Sequence, residues 1–173
     1  LSGADLERLA EAAFFAGQAA RGMELKERAF KAHLDAGDEI RGAYMALEIA
    51  HDYGMSGKPS IASAWAGRGA RLLEGKPESY AHGYEALVMS EKAGAAGEID
   101  AALASAEQAV QIATRTNHAD LHATALVQLG TLKIGTGAAS DGIMMMEEAS
   151  ISAHNGELTP VVTGPTCCRM IAA

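Results

Sequence analysis

Residues 89–109 of this 173-residue chain read MSEKAGAAGEIDAALASAEQA, and the small residues in this stretch recur throughout the sequence. Gly97 belongs to a column of four glycines with a constant spacing of 40 residues: Gly17, Gly57, Gly97 and Gly137. Three more columns hold only small residues in the same register: Ala10, Ala50, Ser90 and Gly130; Gly22, Ala62, Ala102 and Gly142; Ala29, Gly69, Ala109 and Ala149. A fixed period of about 20 to 50 residues is typical of an array whose units bury their apolar faces against their neighbours.

Charge and composition limit the classes of protein to which the chain can belong. A content of 49% hydrophobic residues excludes an intrinsically disordered segment. Fourteen basic and 22 acidic residues give a net charge of -8, which repels phosphate backbones. No apolar run reaches the roughly 18 residues that a membrane helix needs, and the only two cysteines, Cys167 and Cys168, are adjacent. The sequence predicts a folded cytoplasmic segment that binds neither nucleic acid nor membrane, and a start at Leu1 predicts a piece of a longer protein.

The apolar pattern between the glycines is helical. Leu6, Leu9, Ala10 and Ala13 recur at steps of three and four residues, as on one face of an α-helix. Aromatic residues make up only 5% of the chain, and no alternating pattern of a β-strand persists. We therefore predict an all-α protein, with helices at about 4–16, 22–36, 39–55, 59–74, 78–95, 98–115, 119–135 and 139–154 and a ninth beginning near residue 163.

One repeat pattern resembles a known family. A large apolar residue followed by a small one, then a turn glycine, a small residue five positions later and another seven beyond, resembles the tetratricopeptide repeat; the first unit shows it at Leu9, Ala10, Gly17, Gly22 and Ala29. Two features depart from that family: the period is 40 residues rather than about 34, and its early aromatic is replaced by Leu6, Ala46, Ala86 and Leu126. The resemblance implies one domain over 1–173, a right-handed superhelical solenoid with repeats 1–37, 38–76, 77–117 and 118–156 and the start of a fifth at 157–173.

Two segments carry a narrower resemblance. Residues 1–13, LSGADLERLAEAA, and residues 156–164, GELTPVVTG, resemble the tetratricopeptide region of large actinobacterial regulators. Those proteins carry a LuxR-type helix-turn-helix at the C-terminus, sometimes preceded by an ATPase or adenylate cyclase module. The resemblance implies the sensory or regulatory segment of a signal-transducing transcriptional regulator.

In tetratricopeptide arrays the first helix of each repeat lines a concave groove, and this resemblance supplies the candidate binding residues. They are Glu7, Glu11, Phe15, Tyr44, Leu47, His51, Tyr84, Leu87, Glu91, Val127 and Thr131. Such a surface suits a protein or an extended peptide, including other domains of the same chain, and self-association into a homo-oligomer is left open. In the alternative interpretation, side chains such as Tyr44 and Tyr84 only pack against the next repeat, and the array is a structural spacer or oligomerisation module of a multidomain ATPase or adenylate cyclase.

Catalytic and cofactor-binding motifs are missing from the sequence. It has no phosphate-binding loop, no nucleophile elbow and no dinucleotide-binding fingerprint, so we predict a non-enzymatic protein without cofactors. His118 and His122 have a spacing that can bind zinc, but a zinc site needs three or four ligands. Asn117 is expected to cap the start of the helix that carries the two histidines. Met144, Met145 and Met146 favour either core packing or an adaptable binding surface.

The predicted packing of the small columns can be tested at residues 108 and 109. Ala109→Leu should lower the free energy of unfolding by about 1–3 kcal/mol because the larger side chain overpacks the contact between helices. Gln108→Leu, at the neighbouring position outside the columns, should be nearly neutral in the same urea denaturation. Equal effects of the two substitutions would contradict the assignment of the column.

Overall fold

The computed structural model of the chain describes residues 1–172, with side chains up to residue 169. This part contains nine α-helices and no β-strand, which confirms the all-α prediction. The helices are α1 (Gly3–Phe15), α2 (Ala19–Asp35), α3 (Glu39–Met55), α4 (Pro59–Leu73), α5 (Tyr80–Ala95), α6 (Ile99–Thr116), α7 (Ala119–Gly135), α8 (Ala139–His154) and α9 (Pro160–Ala172). Over the described residues, no helix combines the length and the apolarity that crossing a membrane would require.

Two helices begin earlier than the sequence pattern predicted. Helix α2 begins at Ala19 rather than near residue 22, because Gly22 is an interior helix residue that packs closely on α1. Helix α9 begins at Pro160 rather than near residue 163. Proline is favoured at the first helical position, where its missing N–H group would have no helical partner.

The chain divides into two compact units, and each is described by itself. The first unit is Leu1–Pro77 and contains α1 to α4, while the second begins at Glu78 and contains α5 to α9. The division falls at the end of the second predicted repeat, 38–76. The assignment of residues 1–173 to a single domain stays a prediction.

Within each unit, helices that are consecutive in sequence pack against each other. In the first unit α1 pairs with α2, α3 pairs with α4, and α2 contacts α3. In the second unit α5 pairs with α6 and α7 with α8; α6 contacts α7, α9 packs on α7 and α8, and α5 also contacts α7. The right-handed solenoid predicted for the array stays a prediction.

One turn geometry closes all four hairpins. Gly17, Gly57, Gly97 and Gly137 each follow the first helix of a hairpin and have φ between +70° and +93°. In the first turn, the N–H of Gly17 donates to the C=O of Phe14 (2.9 Å) and the N–H of Gln18 to the C=O of Ala13 (2.8 Å). This Schellman pattern satisfies the last carbonyls of the helix and needs a left-handed residue, which glycine adopts without a steric penalty. The column of glycines therefore marks identical three-residue turns.

Small residues allow the two helices of a hairpin to approach closely. A Cβ atom added to Gly22 would lie 3.4 Å from the carbonyl oxygen of Ala10, and one added to Gly142 only 2.5 Å from that of Gly130. At the same position of the third hairpin, the Ser90 hydroxyl donates to the carbonyl oxygen of Ala102 at 2.8 Å. These contacts show that the column of Ala10 and the column of Gly22 lie where paired helices meet in the first, third and fourth hairpins.

The large residue before the first small column is not buried in every hairpin. Ile49 of α3 is fully buried, whereas Leu9 of α1 is 44% exposed. In the second unit Leu129 of α7 is likewise buried and Met89 of α5 is exposed. Helices α3 and α7 pack on the preceding hairpin of their unit, but α1 and α5 are the first helices of theirs. The same sequence position is therefore core or surface according to its place in the unit.

Substitutions at two glycines of the last hairpin separate the effect of close helix packing from that of helix propensity. Gly142→Ala should lower the free energy of unfolding by about 1–3 kcal/mol, since the new methyl group meets the backbone of α7. Gly135→Ala is the matched control, because a Cβ atom at Gly135 meets nothing within 4 Å.

The control substitution should be neutral or stabilising by up to about 1 kcal/mol, as alanine is the better helix former. Urea denaturation followed by circular dichroism measures both changes. A Gly142→Ala variant as stable as Gly135→Ala would contradict the close approach of α7 and α8.

Candidate functional site

The predicted groove residues of the first unit occupy one helix of each hairpin. Glu7, Glu11 and Phe15 lie on α1, and Tyr44, Leu47 and His51 lie on α3. Leu47 is fully buried, where its side chain packs on Gly69 of α4, so it contributes to the core of the unit. Glu11, Tyr44 and His51 are half-buried. Phe15 is 59% exposed at the end of α1 and packs edge-to-face on Phe14, with 5.4 Å between the ring centroids.

Glu7 lies at the centre of a polar cluster that joins three helices. Its Oε1 atom is 2.6 Å from Nε2 of His33 on α2 and accepts a hydrogen bond of 2.9 Å from Nε of Arg41 on α3. A second hydrogen bond from Arg41 reaches Oε2, which makes the carboxylate–guanidinium pair bidentate. His33 is buried, with its ring against Gly3 of α1. The carboxylate of Glu7 is therefore held within the unit.

The ionisation of Glu7 reflects a balance of burial and pairing. Burial alone would raise its pKa, but the hydrogen bonds and positive charge of Arg41, followed by those of His33, outweigh burial and lower the pKa below its ordinary value. The same guanidinium lies 4.5 Å from the ring centroid of Tyr44, a cation–π contact. Two predicted groove residues, Glu7 and Tyr44, are thus brought together by Arg41.

The predicted groove residues of the second unit are mostly interior. Tyr84, Leu87 and Val127 are buried, and Glu91 is half-buried. Val127 belongs to an apolar cluster formed by α7, α8 and Leu158, which lies between α8 and α9. Thr131 is exposed, and its hydroxyl donates to the carbonyl oxygen of Val127 at 2.7 Å. Burial gives Tyr84, Leu87 and Val127 a role in packing, while their role in binding a partner stays a prediction.

His118 differs from its expected place. It is the N-cap of α7 rather than a residue of the first turn: its Nδ1 atom accepts a hydrogen bond from the N–H of Leu121 at 3.2 Å. Asn117, predicted to cap this helix, instead ends α6 in the left-handed conformation at φ 50°. The His118 ring stacks on Tyr80 with 4.7 Å between centroids. Among the described residues, no three His, Cys, Asp or Glu side chains are grouped so that they could hold a metal ion.

A second polar cluster of the first unit was not anticipated from the sequence. The Nζ atom of Lys26 on α2 lies 2.7 Å from Oδ2 of Asp52 and 3.5 Å from Oε2 of Glu48, both on α3. Burial alone would lower the pKa of Lys26, but the charges of the two carboxylates and their hydrogen bonds outweigh it and raise the pKa. The spacing of Glu48 and Asp52, four residues on one helix, was a usable signal for a paired site. Nothing in the sequence indicated that Lys26 is the partner of these two carboxylates.

The comparisons with known proteins concern the fold. No protein-family model and no curated protein matches the chain. Among solved structures, the chain is similar to the crystal structure of BtubC (BKLC) from P. vanneervenii, with a TM-score of 0.60 and 16% sequence identity. The alignment covers 91% of this chain and 66% of that chain. At this identity the likeness shows an all-helical fold and nothing of activity.

The polar cluster around Glu7 predicts a pH-dependent stability. Glu7→Gln should lower the free energy of unfolding at neutral pH by about 1–3 kcal/mol, since Arg41 and His33 lose a charged acceptor. Because the pKa of Glu7 is lowered by folding, its contribution is complete above the ordinary value of 4.5 and is lost as the pH falls through the lower pKa of the folded state.

The measurement is urea denaturation of both proteins between about pH 3 and pH 7. The difference between wild type and Glu7→Gln should shrink toward the acid end. Glu107→Gln, an exposed position on α6, is the control and should change stability little at any pH. A difference between wild type and Glu7→Gln that is constant with pH would refute a role for the ionised carboxylate.

Proposed function

We propose that the chain is a non-enzymatic scaffold of the tetratricopeptide type that binds a protein or peptide, as the sensory or regulatory segment of a signal-transducing transcriptional regulator. The observation that carries the binding role is a set of exposed apolar side chains at the ends of α1 and α3. Phe14 and Phe15 are 55% and 59% exposed, and Met55 is 68% exposed. Phe15 and Met55 occupy the same position of two consecutive repeats, just before the turn glycine.

Exposed aromatic and methionine side chains suit recognition of an apolar partner. Large rings bury much area on binding, and methionine adapts to the shape of what it contacts. Phe14 and Phe15 contact each other edge-to-face, so the two rings form one exposed apolar patch. Phe14 and Met55 are thus added as candidate binding residues to Phe15, which was assigned to the groove from the sequence.

The use of the polar groups in the first unit supports a scaffold rather than a catalyst. Glu7 is paired with Arg41 and His33, and Lys26 is paired with Asp52. Each pair joins helices and fixes their relative position, so these groups serve the fold. A catalytic site would instead gather polar groups around a space that a substrate can enter.

The tetratricopeptide assignment is supported by the repeated hairpin. Four hairpins close through the same glycine turn at a constant spacing of 40 residues, and three of them show the close approach of small residues. The assignment to a transcriptional regulator is supported by the sequence resemblance of residues 1–13 and 156–164 alone. The charge of -8 favours a protein or peptide partner over nucleic acid for this segment.

A structural spacer or oligomerisation module of a multidomain ATPase or adenylate cyclase is the second candidate function. The burial of Leu47, Tyr84, Leu87 and Val127 favours it, because these side chains serve the interior of each unit. An array that only holds other domains apart needs a core of this kind and no accessible anchors. The exposed Phe15 and Met55 distinguish the two candidates.

The experiment is a selection of displayed 12-residue peptides on the immobilised protein, followed by titration of the selected peptides against variants. Phe15→Ser and Met55→Ser should each weaken binding by about tenfold or more, because an anchor side chain typically contributes about 2 kcal/mol. Ile61→Ser is the matched control: Ile61 is also exposed, but on the second helix of its hairpin. Its affinity should equal that of the wild type.

Circular dichroism of the three variants should show unchanged thermal midpoints, since all three side chains are exposed. Selected peptides that bind all variants equally, or a selection without a shared sequence pattern, would overturn the binding proposal and favour the spacer.

A further inference from the structure

The outer face of helix α8 carries two apolar side chains that are more than half exposed. Met144 is 58% exposed and Ile151 is 61% exposed. The two residues are seven positions apart, which places them on the same side of the helix two turns from each other. Met146, by contrast, is buried in the cluster between α7 and α8. One methionine of the triplet thus packs in the core, and another lies on the surface.

The fold does not require apolar residues at these two positions. The residues equivalent to Met144 in the preceding repeats are Glu24, Ala64 and Ala104, and those equivalent to Ile151 are Lys31, Arg71 and Gln111. Polar or small side chains therefore stand at these two positions on α2, α4 and α6. The apolar pair is a property of α8 alone among the second helices of the four hairpins.

The stacking of a further hairpin would leave these positions open. Helix α2 is followed in its unit by α3 and α4, yet Glu24 and Lys31 are exposed. Helix α6 is followed in its unit by α7 and α8, yet Ala104 and Gln111 are exposed. The outer face of a second helix is thus not the face on which the next hairpin packs. A further stacked hairpin would therefore not cover Met144 and Ile151.

The charges beside the apolar pair identify the chemistry of that occupant. Asp141, Glu147 and Glu148 are exposed on α8, and Glu147 and Glu148 lie between the two apolar residues on either side of the line that joins them. Helix α8 contains no lysine or arginine. In the part of the chain that the structure describes, none of the three carboxylates forms an ion pair.

We propose that this outer face of α8, formed by Asp141, Met144, Glu147, Glu148 and Ile151, docks a basic amphipathic helix of a partner protein. The partner helix places two apolar side chains about seven residues apart, or two helical turns, over Met144 and Ile151. Its lysine or arginine side chains flank them and pair with the carboxylates. The adaptable thioether of Met144 accepts different aliphatic or aromatic side chains.

The same charges disfavour the other occupants. Two copies of the chain meeting through this face would bring Glu147 and Glu148 against identical carboxylates, and like charges across an interface are repulsive. An anionic membrane surface would be repelled in the same way. The site is separate from the anchors Phe15 and Met55, so its test does not depend on the function proposed above.

The experiment uses a fluorescein-labelled synthetic peptide with leucines at seven-residue spacing and lysine or arginine at the flanking positions. Fluorescence anisotropy measures its affinity for the whole chain at physiological salt. A peptide of identical composition with scattered leucines, and one with glutamate in place of the basic residues, are the peptide controls. Both should bind about tenfold more weakly or not at all.

Variants of the chain locate the site. Ile151→Lys, which introduces the residue found at position 31, and the double variant Glu147→Lys/Glu148→Lys should each weaken binding about tenfold or more. Gln111→Lys adds the same charge at the equivalent position of α6 and should have less than about a twofold effect. In methyl-labelled protein, the NMR signal of Met144 should shift on titration, while that of Met55, which is also more than half exposed, should not.

Equal loss of affinity in Gln111→Lys and Ile151→Lys would overturn the proposal, because it would show attraction to the net charge and not to this face. So would a Met144 signal that stays unshifted at saturation. Co-sedimentation with phosphatidylserine vesicles, or self-association that Ile151→Lys abolishes, would assign the face to a membrane or to a second copy instead.

Discussion

Three of the four hairpins depend on the close approach of two helix backbones at one small residue from each helix. Ala10 meets Gly22, Ser90 meets Ala102 and Gly130 meets Gly142, in each case 12 residues apart. The turn glycine lies seven residues after the first member and five before the second. A fixed contact point and a fixed turn leave the two helices one way to pair. Because a larger side chain at the contact costs more than the weak helix propensity of glycine, small residues persist there.

The small-residue contacts recur from hairpin to hairpin. The polar contacts that join consecutive hairpins, by contrast, differ between the two units. The first unit uses the Glu7–His33–Arg41 cluster and the Lys26–Asp52 pair. The second unit uses other means: Gln128 of α7 donates to the hydroxyl of Ser90 on α5 at 3.3 Å, and Asp120 at the start of α7 accepts from the backbone N–H of Thr159 before α9 at 2.8 Å. Leaving the buried members of these clusters, such as His33, unpaired would cost free energy. Each neighbour is thus recognised by different chemistry although the hairpins share one plan.

The sequence was sufficient for the features that repeat and insufficient for those that occur once. The helices of residues 1–172, their turns and the small contacts followed from periodicity, because the same local constraint acts four times. Gly22 was predicted as the first residue of its helix, but α2 begins at Ala19 and Gly22 lies inside it, packed against Ala10, a contact that glycine content alone does not indicate. Glu7 and Arg41 are 34 residues apart, and nothing in a single sequence pairs them. Leu9 and Ile49 share a repeat position, yet only the presence of a preceding hairpin decides that Ile49 is buried.

The short reach of these contacts along the chain also bears on how the protein folds during synthesis. The side-chain contacts that link neighbouring hairpins close loops of at most 39 residues, as between Asp120 and Thr159. Loop closure over such distances costs little entropy, and helical proteins with local contacts fold rapidly. Each hairpin can therefore form as soon as its second helix leaves the ribosome, and the first hairpin of each unit waits only one repeat for the neighbour that packs on it.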